Sequence, residues 1–263
     1  MTPSMPQSDL EQFVQESGWD PKDTSRDRLE PDEVDLPEGN VLIFADLLNI
    51  HALDTDGRIH TIAGRDEPVT SLCSHEGRIY DASEDRNIYD TISGISIARR
   101  YAPVHALCIH EGEMYDAGLY GKVVRSSDQA CVSQRTNLIM DLCSHEGTMF
   151  DAGARISIKY TLTSEDLCLR PGFVCALESH DGLLYDSGNY KTINKTTAQE
   201  VIAKRDKAVR CLCSHGGRLF DAGMYDGIYD TFENRRIIHS NNPIYSMCTH
   251  PRKYLVEEGI LPP

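Results

Sequence analysis

The sequence predicts an all-β fold, a six-bladed β-propeller, from three observations. A histidine recurs with a spacing of 35 residues, and no insertion interrupts that spacing. It stands at His75, His110, His145, His180, His215 and His250. Each unit also contains four short runs of strand-forming residues, and no helical period intervenes, which excludes helical and leucine-rich solenoids. A strict period with four strands per unit is typical of a ring of antiparallel blades.

The unit that begins at Val69 shows the expected strands. Residues 69–75 form a first run of strand formers, and Glu76-Gly77 follow as a two-residue turn. A second strand over 78–82 and a third over 88–91 come next, and Ile95 and Ile97 alternate on a fourth. Because glycine adopts positive φ without steric cost, the Glu-Gly pair predicts a tight hairpin between the first two strands.

The two ends of the chain together predict the sixth blade. Residues 244–250 supply a first strand without later partners, whereas residues 39–46, 49–51 and 58–62 supply later strands without a first one. Joining them closes the ring and removes open sheet edges. One alternative stays open, because residues 253–256 also have the pattern of a second strand and compete for that place.

Three regions are predicted along the chain. Residues 1–36 form an acidic and largely disordered tail, 37–257 form the propeller, and 258–263 form a C-terminal tail. Within the first tail, a capping box predicts a short helix over about 8–17, either a frayed helix or a docking segment. Trp19, the single tryptophan, would anchor such docking.

Charge excludes several classes of partner. The net charge is −15, and the first 36 residues contain ten acids against three bases. Without a basic block, we expect no nucleic-acid binding and no docking on anionic membranes. No run of 18 apolar residues exists, and the N-terminus lacks the features of a secretory signal. We therefore expect a cytoplasmic protein that is a monomer.

The cysteines are interpreted as packing residues. There are nine of them, and five share one position of the repeat. These five are Cys73, Cys108, Cys143, Cys213 and Cys248. Equivalent positions on neighbouring blades lie too far apart for disulfides, so we expect reduced, semi-buried thiols in a reducing compartment.

The repeat resembles the WD-repeat propeller family. Residues 209–231 have that family's strand–turn–strand core, with Tyr229-Asp230 in the place of its Trp-Asp pair. An arginine replaces the histidine that the family places four residues before the first strand. The family's Trp is absent from every copy, so the resemblance is to a divergent, microbial branch. It implies a propeller over about residues 39–257 and specifies no particular function.

An arginine–aspartate network is predicted to replace the family's histidine–aspartate pairs. The arginines precede the first strands, and the aspartates end the second strands. The two sets are Arg65, Arg100, Arg135, Arg170 and Arg205, with Asp81, Asp116, Asp151, Asp186 and Asp221. Ser240 breaks the arginine series. Whether each pair forms within one blade or across two stays open at this point. An anion site made by the arginines is the alternative, and the need to pair a buried arginine disfavours it.

The Cys-x-His pairs suggest a second function. Residues i and i+2 of a strand point to one face, so Cys73 and His75 are neighbours. Converging pairs would provide ligands for zinc. Because almost every blade carries the pair, the favoured interpretation is structural, with cysteine packed between blades and histidine bonded to a neighbour. We predict no metal and no cofactor.

The turn between the second and third strands varies most, and it provides the candidate partner-binding residues. These are Tyr120, Lys122, Arg155, Tyr190, Lys191 and Tyr225. Tyrosine and arginine are favoured interface anchors, although the tyrosines could merely cap blade packing. No catalytic motif is present, and the loops are short and uniform. The favoured function is therefore a non-enzymatic binding or scaffold propeller that engages a protein or peptide on one face. The alternative is a metal- or small-ligand-binding propeller that uses the Cys-x-His pairs, with hydrolase-like activity as an option.

Overall fold

A computed structural model describes residues 30–31, 39–154 and 156–262. These residues form six four-stranded antiparallel blades arranged in a ring, which confirms the predicted six-bladed β-propeller. The expected tail helix over 8–17 and Trp19 lie outside the described residues. Within the described residues, no helix has the length and apolar character needed to cross a membrane.

Each complete blade consists of four consecutive strands, the first of which lies nearest the ring axis. Strands are numbered in chain order from β1 (Glu30–Pro31). Blades 1 and 2 contain β5 (Val69–His75), β6 (Arg78–Ser83), β7 (Asn87–Asp90), β8 (Ser96–Arg99), β9 (Val104–His110), β10 (Glu113–Gly118), β11 (Lys122–Arg125) and β12 (Cys131–Gln134). Blades 3 and 4 contain β13 (Ile139–His145), β14 (Thr148–Gly153), β15 (Ser157–Tyr160), β16 (Asp166–Leu169), β17 (Val174–His180), β18 (Leu183–Gly188), β19 (Thr192–Lys195) and β20 (Glu200–Lys204). Blade 5 contains β21 (Val209–His215), β22 (Arg218–Gly223), β23 (Gly227–Asp230) and β24 (Arg235–His239), and β1 adds a fifth strand at its outer edge.

Blade 6 is built from both ends of the chain, as the sequence predicts. Its strands are β25 (Ile244–Pro251), β2 (Asn40–Asp46), β3 (Asn49–Leu53) and β4 (Ile59–Gly64), in that order. β2 pairs with β25 over its whole length.

The alternative second strand over 253–256 is wrong. These residues lie in helix α1 (Arg252–Glu257), because β2 already occupies the free edge of β25. Leu255 of α1 is buried and packs with Val41, Ile43 and Val69 at the junction of blades 6 and 1.

The first hairpin of each blade uses the turn that the Glu-Gly pair predicts. Glu76 has φ 47° and Gly77 has φ 76°, and Glu111 and Gly112 repeat this geometry. Two successive positive φ values match the right-handed twist of the flanking strands.

A glycine at the end of the second strand has a different role. A Cβ on Gly118 would lie 2.2 Å from the carbonyl oxygen of Pro103. Two backbone segments therefore approach closely at this point.

The antiparallel order gives the ring two distinct faces. Loops that join successive blades, and turns between the second and third strands, lie on what we call the upper face. Turns between the first and second strands, and between the third and fourth, lie on the lower face. Apolar side chains fill the spaces between blades: Phe44 of blade 6, for example, shares a buried cluster with Phe220 and Ile228 of blade 5.

Candidate functional site

Five arginine–aspartate ion pairs connect neighbouring blades at the upper face. The N–O distances are 2.5–2.6 Å, and each aspartate is buried. The pairs are Arg65–Asp81, Arg100–Asp116, Arg135–Asp151, Arg170–Asp186 and Arg205–Asp221. The backbone N–H of Arg100 donates to the carbonyl of Arg86 in blade 1, while its guanidinium donates through Nε and Nη2 to Asp116 of blade 2. Each pair therefore spans two blades, which answers the question that the sequence left open.

The three predicted contact tyrosines belong to the same network. The hydroxyls of Tyr120, Tyr190 and Tyr225 donate to the aspartate four residues earlier in the same blade. Tyr120 and Tyr225 are buried and Tyr190 is half-buried, which favours the alternative that these tyrosines cap blade packing, while their assignment to partner binding stays a prediction. Burial of the aspartates requires additional donors, and the tyrosine hydroxyls provide them.

The remaining predicted contact residues are placed differently. Lys191 is exposed and Lys122 is half-buried, both on the upper face. Arg155 lies outside the described residues. The assignment of these residues to partner binding stays a prediction.

Blade 6 replaces the ion pair with an apolar contact. Strand register places Phe44 opposite Met247 in blade 6 and Asp81 opposite Leu72 in blade 1. Phe44 therefore occupies the position of the aspartate. Ser240 stands where the other blades have arginine, so both partners of the ion pair are replaced together, and neither charge is left buried alone.

The repeated histidines connect the blades near the lower face. Their Nδ1 atoms lie 2.8–3.1 Å from a hydroxyl oxygen of the next blade. These contacts are His110–Ser144, His145–Ser179, His180–Ser214, His215–Thr249 and His250–Ser74. His75 is the exception. In the next blade, Ile109 occupies the position that has a serine or threonine in the other blades. Burial lowers the pKa of His215 and His250 to about 4, so both imidazoles are neutral at pH 7.

The cysteines line the ring axis as free thiols. All nine are unpaired, and seven of them border one axial cavity. Burial raises the pKa of the Cys73 thiol to about 12, which makes it a poor nucleophile. Within the part of the chain that the structure describes, no three His, Cys, Asp or Glu residues are placed to hold a metal ion. The packing role of the Cys-x-His pairs stays a prediction.

A cavity lies along the ring axis between the blades. Its volume is about 700 Å³, and first strands of all six blades line it. Four carboxyl groups line it, and two of them belong to first strands, Asp141 of blade 3 and Glu178 of blade 4; the others are Glu67 and Glu84. Burial raises the pKa of Asp141 to about 7, against the effect of N–H donors from Leu177 and Leu142. Burial, with the nearby Asp141, raises the pKa of Glu178 to about 8.

The sequence prediction did not select Asp141 and Glu178 as site residues, because it searched for what recurs. The signal was present in the repeat alignment. Glu178 occupies the position of the five recurrent cysteines, and Asp141 aligns with Ser71 and Ser246. A residue that departs from its repeat position is a candidate for function, since the ring itself is held together by what the blades share.

Three apolar side chains are exposed on the upper face of blades 2 to 4. Tyr101 is 65% exposed, Ile156 46% and Phe173 37%. Tyr101 lies over the ring of Tyr120, with ring centroids 5.4 Å apart. Phe173 stands at the mouth of the axial cavity. Tyr101 and Ile156 depart from the repeat, since they align with Asp66 and Arg86, whereas the position of Phe173 is apolar in every blade.

Comparisons with known proteins identify the fold. No family model matches the chain, and no curated protein matches its sequence. Among solved structures, a chain of a nidogen–laminin complex superimposes with a TM-score of 0.67 at 10% identity, covering 81% of this chain and 98% of that one. A chain of a mitotic checkpoint complex gives 0.55 at 14% identity, covering 84% and 87%. The WD40 β-propeller domain of Doa1 gives 0.51 at 11% identity, covering 78% and 75%. At these identities the similarity establishes the propeller fold, with a WD40 propeller among its structural neighbours.

Proposed function

We propose that the chain is a non-enzymatic binding propeller that engages a protein or peptide partner through the upper face of blades 2 to 4. The observation that carries this proposal is the exposure of Tyr101, Ile156 and Phe173 on that one face. Exposed large apolar side chains are frequent at interaction sites, and aromatic residues are the preferred anchors.

Charge suggests the chemistry of the partner. Lys122 and Lys191 lie on the same sector of the upper face, and among the described residues neither forms an ion pair. A segment that combines apolar side chains with acidic ones would complement this sector. The buried tyrosines Tyr120 and Tyr225 would support the surface from below rather than contact the partner, since their hydroxyls are bonded to aspartates.

The proposal includes a cytoplasmic, reducing setting, with which nine free thiols are compatible. The metal-binding alternative has no supporting observation. The histidines of the Cys-x-His pairs are bonded to neighbouring hydroxyls rather than arranged around a common point.

Site-specific photocrosslinking tests the proposal. A photoreactive phenylalanine at Tyr101 or Ile156 would probe the upper face, and one at Leu162 or Leu183, which are also exposed but lie on the lower face, would serve as the matched control. We expect a discrete crosslinked partner from the upper-face positions alone. Crosslinking of one partner from the lower-face positions alone would contradict the proposed face.

A further inference from the structure

The axial cavity contains two charged groups that the architecture does not require. Asp141 accepts the backbone N–H of Leu177 in the next blade at 2.7 Å. Ser71 and Ser246 accept the corresponding N–H groups of Leu107 and Leu72 at 2.9 and 2.8 Å. A neutral hydroxyl is therefore sufficient for this connection between blades, and the negative charge of Asp141 is additional to it.

Glu178 departs from its repeat position in the same way. The equivalent residue in every other complete blade, and in blade 6, is a cysteine that packs near the axis. A thiol therefore meets the packing requirement of the ring at that position. Glu178 instead places a carboxyl group among thiols, where burial and the nearby Asp141 disfavour its ionised form against the effect of a single N–H donor, that of Ser214.

Among the residues that the structure describes, neither Asp141 nor Glu178 forms an ion pair with a lysine or an arginine. The arginine that lines the cavity, Arg210, contacts the sulfur of Cys175, and its charge lowers the pKa of His105. Its charge is not among the causes that shift the pKa of either carboxyl.

The remaining cavity wall suits an organic cation rather than a metal. The thiols of Cys108, Cys143, Cys213 and Cys248 line the cavity together with Glu178. No three potential metal ligands converge among the described residues. Leucine side chains and aromatic rings at the mouth complete an apolar surround, and that surround favours an alkyl chain. A volume of about 700 Å³ is ample for a small molecule.

We propose that the axial cavity is a binding site for a small alkyl amine or diamine, whose ammonium groups are held by the carboxylates of Asp141 and Glu178. This site is separate from the protein-binding upper face, and it uses the departures from the repeat rather than the repeated Cys-x-His pairs. The ammonium group would supply the positive charge that the cavity lacks at these carboxyls.

Proton release is a second consequence. Because burial holds the pKa of Glu178 at about 8 and that of Asp141 at about 7, each is partly protonated near neutral pH. A bound cation favours the ionised forms, so binding should release protons and should strengthen as the pH rises from 6 to 8. The other titratable groups that line the cavity are His105, Arg210, Tyr245, Glu67, Glu84 and the thiols.

The test is isothermal titration of the full chain at pH 8 with 1,4-diaminobutane, and with 1,4-butanediol as the uncharged control. Two variants introduce the residue that other blades have at the same repeat position: Asp141→Ser, as at Ser71, and Glu178→Cys, as in the other blades. Glu178→Gln, which keeps the shape of the side chain, provides the same test if the cysteine variant does not fold. Glu76→Gln, an exposed turn carboxylate, is the matched control.

We expect saturable binding of the diamine and none of the diol, with at least about a tenfold loss in the Asp141 and Glu178 variants, because a buried charge pair loses one partner. Glu76→Gln should bind as the wild type does. Absence of diamine binding to the wild type, equal binding of the diol, or undiminished binding by the Asp141 and Glu178 variants would each overturn the proposal. Partner crosslinking at the upper face does not depend on these outcomes, so the two proposals can fail separately.

Discussion

At the scale of single residues, the molecule uses buried charge in two opposite ways. At the upper face each aspartate meets a guanidinium in a two-pronged contact, and tyrosine, serine or threonine hydroxyls donate to four of the five, all except Asp151. For Asp116 these additional donors are Tyr120 and Ser126. In the axial cavity, Asp141 and Glu178 have no basic partner among the described residues. The first arrangement connects blades, and we assign the second to a ligand.

Loss of one partner from a buried ion pair should be costly. Asp116→Ala leaves the buried guanidinium of Arg100 without its carboxylate, and we expect a loss of about 3–5 kcal/mol in the free energy of unfolding. Urea titration followed by circular dichroism would measure it. Asp128→Ala, which removes an exposed pair with Arg125, is the control and should leave the midpoint unchanged. Similar losses in both variants would contradict a special role for the connections between blades.

The carboxyl of Glu178 predicts a dependence of stability on pH. Its pKa is about 8 in the folded protein and about 4.3 in an unfolded chain, so the folded state holds the extra proton between these values. The contribution of this carboxyl to the free energy of unfolding should therefore be greatest below pH 4.3 and should decrease as the pH rises towards 8. Glu178→Gln removes this effect. Its gain in melting temperature over the wild type should be larger at pH 8 than at pH 5, and a gain that is larger at pH 5 would argue against a buried, unpaired carboxyl.

At the scale of elements, the first strands and the C-terminal helix determine how the ring closes. β25 enters blade 6 beside β2, and α1 then covers the junction with blade 1. Arg252 at the start of α1 forms an ion pair with Asp54 of blade 6, at 2.8 Å. The helix is thus attached to blade 6 by charge and to the core by Leu255.

Truncation of the helix anchor should weaken this closure. Leu255→Ala removes a buried side chain from the cluster with Val41 and Val69, and we expect a loss of about 2–5 kcal/mol. Lys253→Ala, at an exposed position of the same helix, is the matched control and should have little effect. Differential scanning calorimetry would compare them. Equal melting temperatures for the Leu255 and Lys253 variants would show that α1 does not contribute to closure.

Sequence reasoning reached most of the fold because the 35-residue period specifies strands, turns and blade number together. It did not decide whether residues 253–256 or residues 39–46 form the second strand of blade 6, since a short apolar run fits a strand as well as a helix turn. Only the pairing of β2 with β25 decides between them. It selected Tyr120 and Tyr225 as contact residues. Their hydroxyls are bonded to aspartates of the same blade, and local sequence does not show these bonds. Asp141 and Glu178 could have been found by aligning the repeats and searching for exceptions.

At the scale of the whole molecule, repetition and departure from it have different roles. The repeated Arg–Asp and His–hydroxyl contacts surround the axis and hold neighbouring blades in place. The unrepeated residues to which we assign binding lie at the upper face of blades 2 to 4 and within the axial cavity. A symmetrical frame of this kind leaves individual positions free to bind, because no single blade has to supply every contact that holds the ring together.

The central claim is that the upper face binds the partner, and one comparison tests it most directly. The crosslinked partner would be purified and titrated calorimetrically against two double variants: Tyr101→Asp with Phe173→Asp on the upper face, and Leu162→Asp with Leu183→Asp on the lower face. All four positions are exposed large hydrophobic residues, so the two variants make the same change in charge and each removes two such side chains. We predict that the upper-face variant loses at least about tenfold in affinity, as expected when interface anchors are removed, while the lower-face variant binds as the wild type does. Loss of affinity in the lower-face variant, with the upper-face variant unaffected, would contradict the account.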